Sequence, residues 1–244
     1  MQPGGSFLTI RWLHAALIRG AFRMPDERVS MTDSNKTLIA ALLDRSGSMA
    51  RLKEATEDGW RELVNEQRGE PGQCEVTLAQ FDTEYEVLYP PTDIAAVPEF
   101  VVDPRGRTAL RDASGRFITE VGEQLAALPE DQRPGKVICL IMTDGHENAS
   151  EKWTWEAVKA LITQQREVYG WEFIFLGANI DAVEVGRRMG VHADDALTVS
   201  GVSYEGNRAA YRVTSEKMKY ARASRKYEFT DADRDAAMGN PPQQ

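Results

Sequence analysis

The sequence predicts an α/β domain: a doubly wound, Rossmann-like, mostly parallel sheet with one antiparallel edge strand and helices on both faces. Three observations carry this expectation. Residues 37–43 and 137–142 are continuous apolar runs, the pattern of strands buried on both faces. Between and after these runs, apolar residues recur at helical spacing, so strands alternate with helices. Two further strand-like runs, 74–81 and 85–89, are separated only by Asp82, Thr83 and Glu84, a link short enough to demand an antiparallel hairpin.

The elements follow in order. The first strand runs into Asp44, and Leu52, Ala55, Gly59 and Leu63 then form one stripe of a helix over 52–67. Gly69, Pro71 and Gly72 break it. After the hairpin, Pro90-Pro91 is expected to end the strand pair. Leu110, Ala113, Phe117, Val121, Leu125 and Leu128 mark a second long helix. The strand 137–142 runs into Thr143-Asp144-Gly145. Trp155, Val158, Leu161 or Ile162, and Val168 give a third helix, and 172–176 a fifth strand. Asp181 with Glu184 reads as the capped start of a short helix. A short strand over 197–199 and a helix over 205–226 complete the pattern. Residues 1–35 are expected to form a loosely ordered extension, 36–228 the domain with its C-terminal helix, and 229–244 a flexible tail.

The chain has 244 residues, 42% hydrophobic and 27% charged, a length that suits one α/β domain able to bury its own core. Its net charge of −9 argues against the basic surface that a nucleic-acid partner requires. No run reaches the ~18 apolar residues needed to span a bilayer, so no membrane partner and a soluble, cytoplasmic protein are expected. Residues 7–23 hold three arginines, no acid, and Ile10, Leu13 and Leu17 at helical spacing. That pattern fits an amphipathic membrane or targeting helix, or a loose extension upstream of an initiator at Met24 or Met31; the extension is the expectation. Cys74 and Cys139 sit in strand-like runs and are read as buried free thiols.

In open parallel sheets the ligand site lies beyond the carboxyl ends of the strands, where the strand order reverses. That rule points to Asp44 and Asp144, each ending a central apolar strand. Asp44-Arg45-Ser46-Gly47-Ser48 carries two serines that Gly47 lets fold onto one side. Such a string arises by chance in on the order of one in ten to twenty chains of this length, and Ser48 could simply cap a helix. Thr108 at the start of the second helix and Asp144 add a hydroxyl and a carboxylate. These are hard oxygen donors, suited to Mg²⁺, Mn²⁺ or Ca²⁺. His146, Glu147 and the acids Glu75, Asp82, Glu84 and Glu86 are read as solvated residues without a fixed role, and Trp60, Trp153, Trp155 and Trp171 as packing residues.

Asp44-x-Ser46-x-Ser48, Thr108 and Asp144 resemble the metal ion-dependent adhesion site of von Willebrand factor A domains, in order and in strand context, over residues 37–199. The strings Ala-Leu-Leu-Asp-Arg-Ser-Gly-Ser-Met and Ile-Met-Thr-Asp-Gly resemble the bacterial and phage intracellular members most. The resemblance implies that Ser46 and Ser48 bind a divalent cation, Mg²⁺ in the first place, directly. Thr108 would bind directly or through water, and Asp44 and Asp144 mainly through water. It implies a protein partner that supplies an Asp or Glu to the open position, and it makes a ring-forming ATPase a plausible associate. The family often has two glycines before the threonine; here Gly106-Arg107 precedes Thr108.

Two rival classes remain. The chain has no dinucleotide fingerprint, phosphate loop or nucleophile elbow, and its histidines His14, His146 and His192 offer no evident partner for a serine, so no enzyme is expected. A Mg²⁺-dependent phosphohydrolase resembling the haloacid dehalogenase fold could use Asp44 as nucleophile, but would want a second Asp where Ser46 stands. A structural subunit or ATPase-associated adaptor with a vestigial site is the other alternative. Because the regular pattern starts only at Thr37, a chain beginning at Met31 is expected to keep its Tm within a few degrees; a fall of more than about 10 °C on thermal unfolding would show that the first segment packs on the core.

Overall fold

A computed structural model describes residues 32–240, so the amphipathic pattern of 7–23 lies outside the described residues. The order of elements is β1 (Asp33–Asp44), α1 (Lys53–Arg68), β2 (Gln73–Phe81), β3 (Tyr85–Asp93), α2 (Leu110–Ala127), β4 (Pro134–Thr143), α3 (Trp155–Tyr169), β5 (Glu172–Ala178), α4 (Ala182–Met189), β6 (Ala196–Val199), α5 (Tyr204–Arg222) and α6 (Asp231–Ala237). Six strands form one sheet in the order β3-β2-β1-β4-β5-β6. Every pair is parallel except β2–β3.

The sheet is buried on both faces, which is why its central strands carry no polar alternation. Ile39, Ala41 and Leu43 of β1 join Trp60 and Leu63 of α1 and Tyr211 and Met218 of α5. Leu38, Ala40 and Leu42, pointing the other way, join Phe117 and Val121 of α2 and Val158 and Ile162 of α3. Cys74 belongs to the first layer and Cys139 to the second, both buried as free thiols. From β1 the chain first builds outward through β2 and β3, then returns to lay β4 on the other side of β1. The switch in strand order therefore falls between β1 and β4, and the ends of these two strands carry Asp44 and Asp144.

Three boundaries differ from the sequence expectation. β1 begins at Asp33, because Asp33 pairs with Pro134 and its N–H donates to Arg133 O at 2.8 Å. β3 continues through Pro90-Pro91 to Asp93. It is the edge strand, where missing N–H groups disrupt least, and register shifts between Val76 and Ala79 absorb the irregularity. The tail expected to be loose from Thr230 contains helix α6, closed by a reciprocal cap between Thr230 and Asp233. Its polar sequence hid it. The helix is held because Ala237 is fully buried and its carbonyl accepts from Ser200 N–H at 2.9 Å.

Helices α1 and α5 pack so closely that a Cβ added at Gly59 would lie 2.4–3.0 Å from atoms of the Tyr211 side chain. Gly59→Ala pits a helix-propensity gain of about 1 kcal/mol against overpacking of about 1–3 kcal/mol on a fully buried tyrosine. Overpacking should win, because the Tyr211 ring is fully buried and its hydroxyl is tied to Met142 Sδ at 2.8 Å. Chemical denaturation should show Gly59→Ala less stable than the parent by about 1–2 kcal/mol; an increase in stability would mean that α5 can shift freely.

Candidate metal centre

Asp44 is the last residue of β1, lies beside Phe81 of β2, and is fully buried. Both of its oxygens are engaged: one accepts the Ser46 N–H at 2.6 Å, the other the Thr143 hydroxyl at 2.5 Å. The chain then turns into a short 3-10 helix over Gly47–Arg51. Ser46 is the N-cap residue of that turn, yet its side chain makes no capping bond, and α1 has no side-chain cap either. The serine hydroxyls point elsewhere. Ser48 donates to Asp144 Oδ1 at 2.6 Å, and the Ser46 and Ser48 oxygens lie 3.2 Å apart. Capping therefore does not account for this pair.

Thr108 reaches the same place from a segment without regular structure. A Cβ built on Gly145 would lie 3.2 Å from Thr108 Oγ1 and 3.5 Å from Ser48 Oγ, so both hydroxyls flank the Gly145 backbone beside Asp144. All five sequence-predicted residues are thus brought together. Among the described residues no group of three or more His, Cys, Asp or Glu is assembled, so the cluster is rich in hydroxyls rather than carboxylates. Asp144 is almost wholly buried, and its Oδ2 has no hydrogen-bond partner. An orphaned buried carboxylate oxygen beside three hydroxyls fits a hard cation, which would supply the missing partner.

The Thr108 segment is held by residues that sequence reasoning left out. Thr108 N–H donates to the Asn148 side chain and Asn148 N–H to Thr108 O, both at 3.0 Å. On the other side, Arg105 N–H donates to Arg45 O at 2.8 Å and Ala109 N–H to Asp82 O at 3.0 Å. Gly106 has φ +70, and a Cβ there would press on Asp82 at 3.2 Å, so glycine is needed on both counts. Asp82, expected on a solvated hairpin face, is instead buried between two guanidiniums: Arg45 Nε at 3.1 Å and Arg105 Nε at 2.8 Å. Burial pushes its pKa up, but the Glu84 N–H and the two arginines outweigh that and hold it below the usual carboxylate range. Glu147 also has a fixed role. It accepts from the N–H groups of Arg111, Ala149 and Ser150, and so caps α2 from across a loop. His146 is exposed, as expected. Of the tryptophans, Trp60 and Trp171 are buried, and Trp153 and Trp155 pack at the edge of the second layer.

With the site's geometry in hand, the chain can be set beside known proteins. No family model and no curated protein matches it. Solved structures do. Proximal thread matrix protein 1 from the mussel byssus, with a zinc-occupied MIDAS motif, aligns with TM-score 0.55 at 18% identity over 74% of this chain and 47% of that one. The von Willebrand factor type A protein from Catenulispora acidiphila aligns with TM-score 0.52 at 14% identity, covering 75% and 43%. The vWF domain of the type V pili tip protein Mfa5 from Porphyromonas gingivalis aligns with TM-score 0.54 at 11% identity, covering 80% and 98%. The chain spans less than half the length of the first two. It has the von Willebrand factor A fold.

Burial raises the Asp44 pKa to about 6, only partly offset by the Thr143 and Ser46 hydrogen bonds, with the neighbouring Asp144 charge adding to the rise. Burial likewise raises Asp144, against the Ser48 bond and the Arg51 charge. For Asp44 the folded state therefore holds its proton more tightly than the unfolded state, whose value is near 3.8. Between these two values the native form binds more protons, so its stability falls as pH rises. In EDTA, the wild type should lose stability relative to Asp44→Asn as the pH climbs from 3.8 to about 6, then run parallel to it. Unfolding titrations of the two proteins check this; a constant difference across that window would contradict the assigned burial.

Proposed function

We propose that this chain is a divalent-cation-dependent protein-binding module of the adhesion type, intracellular and without catalytic activity. The observation that carries the reading is the convergence of the Ser46, Ser48 and Thr108 hydroxyls on two buried carboxylates, one of which keeps an unpartnered oxygen. The zinc-occupied MIDAS motif of the mussel protein, on a similar fold, supports it. In this reading Ser46, Ser48 and Thr108 hold the cation, Mg²⁺ before Mn²⁺ or Ca²⁺, while Asp44 and Asp144 act mainly through water and orient the hydroxyls. A bound cation supplies an electrophilic centre that a partner's Asp or Glu can complete. Neutral hydroxyls serve this purpose better than carboxylates, because they leave the positive charge largely uncompensated. A ring-forming ATPase remains the partner favoured by the resemblance.

The environment of Asp44 argues against the phosphohydrolase alternative. A nucleophilic carboxylate needs an open approach for the phosphorus atom, whereas Asp44 has no exposed surface and each of its oxygens already accepts a hydrogen bond. No helix among the described residues is long and apolar enough to cross a membrane. The buried free thiols Cys74 and Cys139 support a reducing, cytoplasmic setting. The alternative of a structural subunit with a vestigial site separates from adhesion by its indifference to metal.

Titration calorimetry with Mg²⁺ and Mn²⁺ is expected to show one site, abolished in Ser48→Ala and in Asp44→Ala; unchanged binding in both variants would refute the site. Once a partner is in hand, EDTA and Thr108→Ala should each weaken the complex several-fold, and excess Mg²⁺ should rescue only the EDTA case. A complex that keeps its affinity under both treatments supports the structural reading instead.

A further inference from the structure

Ser46 and Ser48 follow directly on β1, and Asp144 directly on β4, but Thr108 lies in the irregular segment between β3 and α2. The sheet therefore does not set its position, and contacts made by the threonine itself have to. Both of its backbone groups bond to one residue. Thr108 N–H donates to Asn148 Oδ1, and Asn148 N–H donates to Thr108 O, each at 3.0 Å. The contacts from the other side fall on its neighbours, through the N–H groups of Arg105 and Ala109.

Asn148 is exposed while Thr108 is buried, so the clamp is only as firm as the loop that carries it. That loop, between β4 and α3, is bonded along its length. Glu147 accepts the N–H groups of Ala149 and Ser150 together with that of Arg111 on α2. Ser150 Oγ accepts the Asp112 N–H at 3.0 Å, and the Asp112 carboxylate accepts the N–H groups of Glu151, Lys152 and Trp153. Arg107 donates to Asn148 O. The same loop begins with Asp144 and Gly145, and a Cβ on Gly145 would meet Thr108 Oγ1 at 3.2 Å. One well-bonded loop thus carries a carboxylate of the centre and also the group that fixes the third hydroxyl against it.

We infer that Asn148 is a positioning residue that gives the centre its preference for a small cation: by holding both backbone groups of Thr108, it keeps the Thr108 hydroxyl from drawing away from Asp144 to suit a larger ion. The inference rests on the metal-dependent reading above and names the residue that sets its selectivity. Mg²⁺ demands near-octahedral oxygens at about 2.0–2.1 Å, whereas Ca²⁺ accepts a looser shell at about 2.3–2.6 Å, so the choice between them depends on how far the donors can move. A Thr108 released from its clamp should therefore weaken Mg²⁺ binding far more than Ca²⁺ binding. A residue that merely stabilised the loop would affect both ions together.

Calorimetric titrations of the full chain with Mg²⁺ and with Ca²⁺ test this in the wild type, Asn148→Ala and Asn148→Asp. Asn148 is exposed, so neither substitution opens a cavity in the core. The wild type should bind Mg²⁺ more tightly than Ca²⁺. In Asn148→Ala the Mg²⁺ affinity should fall about tenfold, as expected when a residue that orients a metal ligand is lost, with a much smaller change for Ca²⁺. Asn148→Asp retains an oxygen for the Thr108 N–H and should keep the wild-type ratio of the two affinities; its added charge acts on both ions alike and drops out of that ratio. In EDTA, NMR hydrogen exchange should show the Thr108 amide protected in the wild type and in Asn148→Asp, and fast in Asn148→Ala. If the wild type binds neither ion, the metal reading has failed and takes this inference with it. If it binds Mg²⁺ but shows no preference over Ca²⁺, or if Asn148→Ala keeps the preference, the inference is overturned and the metal reading stands. Equal loss of the preference in Asn148→Ala and Asn148→Asp, or an unprotected Thr108 amide in the wild type, also overturns it, because Asn148 would then not act by holding Thr108.

Discussion

Asp44 imposes the constraint around which the rest of the molecule is arranged. Its carboxylate has no exposed surface, and an ionised group removed from water costs several kcal/mol unless protein dipoles replace the lost solvation. Here the replacements are the Ser46 N–H and the Thr143 hydroxyl. The first requires the chain to turn sharply on leaving β1, and that turn aims Ser46 and Ser48 back over the strand end. The second requires β4 to lie beside β1 in one register, Leu43 against Met142, so that Thr143 arrives level with Asp44 and Asp144 immediately beyond it. One buried charge thus couples the sheet's central pairing to the geometry of the candidate site.

A second tier of interactions places Thr108, which no strand or regular helix carries. The Arg45–Asp82–Arg105 ion cluster joins the β1 turn, the β2–β3 turn and the segment before α2. Breaking one partner of such a buried set leaves an uncompensated charge, so the three segments are locked together more firmly than surface ion pairs could achieve. Asn148 closes the arrangement from the β4 side, and Glu147 and Asp112 exchange backbone caps between α2 and the loop before α3. The result is a preorganised rim with a buried carboxylate oxygen, Asp144 Oδ2, that has no hydrogen-bond partner at its centre. Both carboxylates at this centre sit above their ordinary pKa values because of burial, the electrostatic condition that a cation relieves.

The sequence by itself determined the α/β class and the antiparallel hairpin, and it singled out the five residues that the fold brings together. Each of these rests on a pattern that is local in the chain: a continuous apolar run for a strand buried on both faces, a three-residue link for a hairpin, a carboxylate or hydroxyl at an element's end. The reciprocal cap that starts α6 was equally local, in Thr230 and Asp233, but the helix carries too little apolar periodicity to be recognised without its contact to Ser200. Pro90-Pro91 misled for the opposite reason. A proline ends a central strand but not an edge strand, and only the sheet order makes β3 an edge. The tertiary structure alone decided which charges are solvated. Asp82 and Glu147 look like ordinary surface acids along the chain, and become fixed parts of the site because residues 23 to 37 positions away bring guanidinium and N–H groups to them. Burial and pairing of that kind depend on separations in space, which a linear pattern of residue types does not encode.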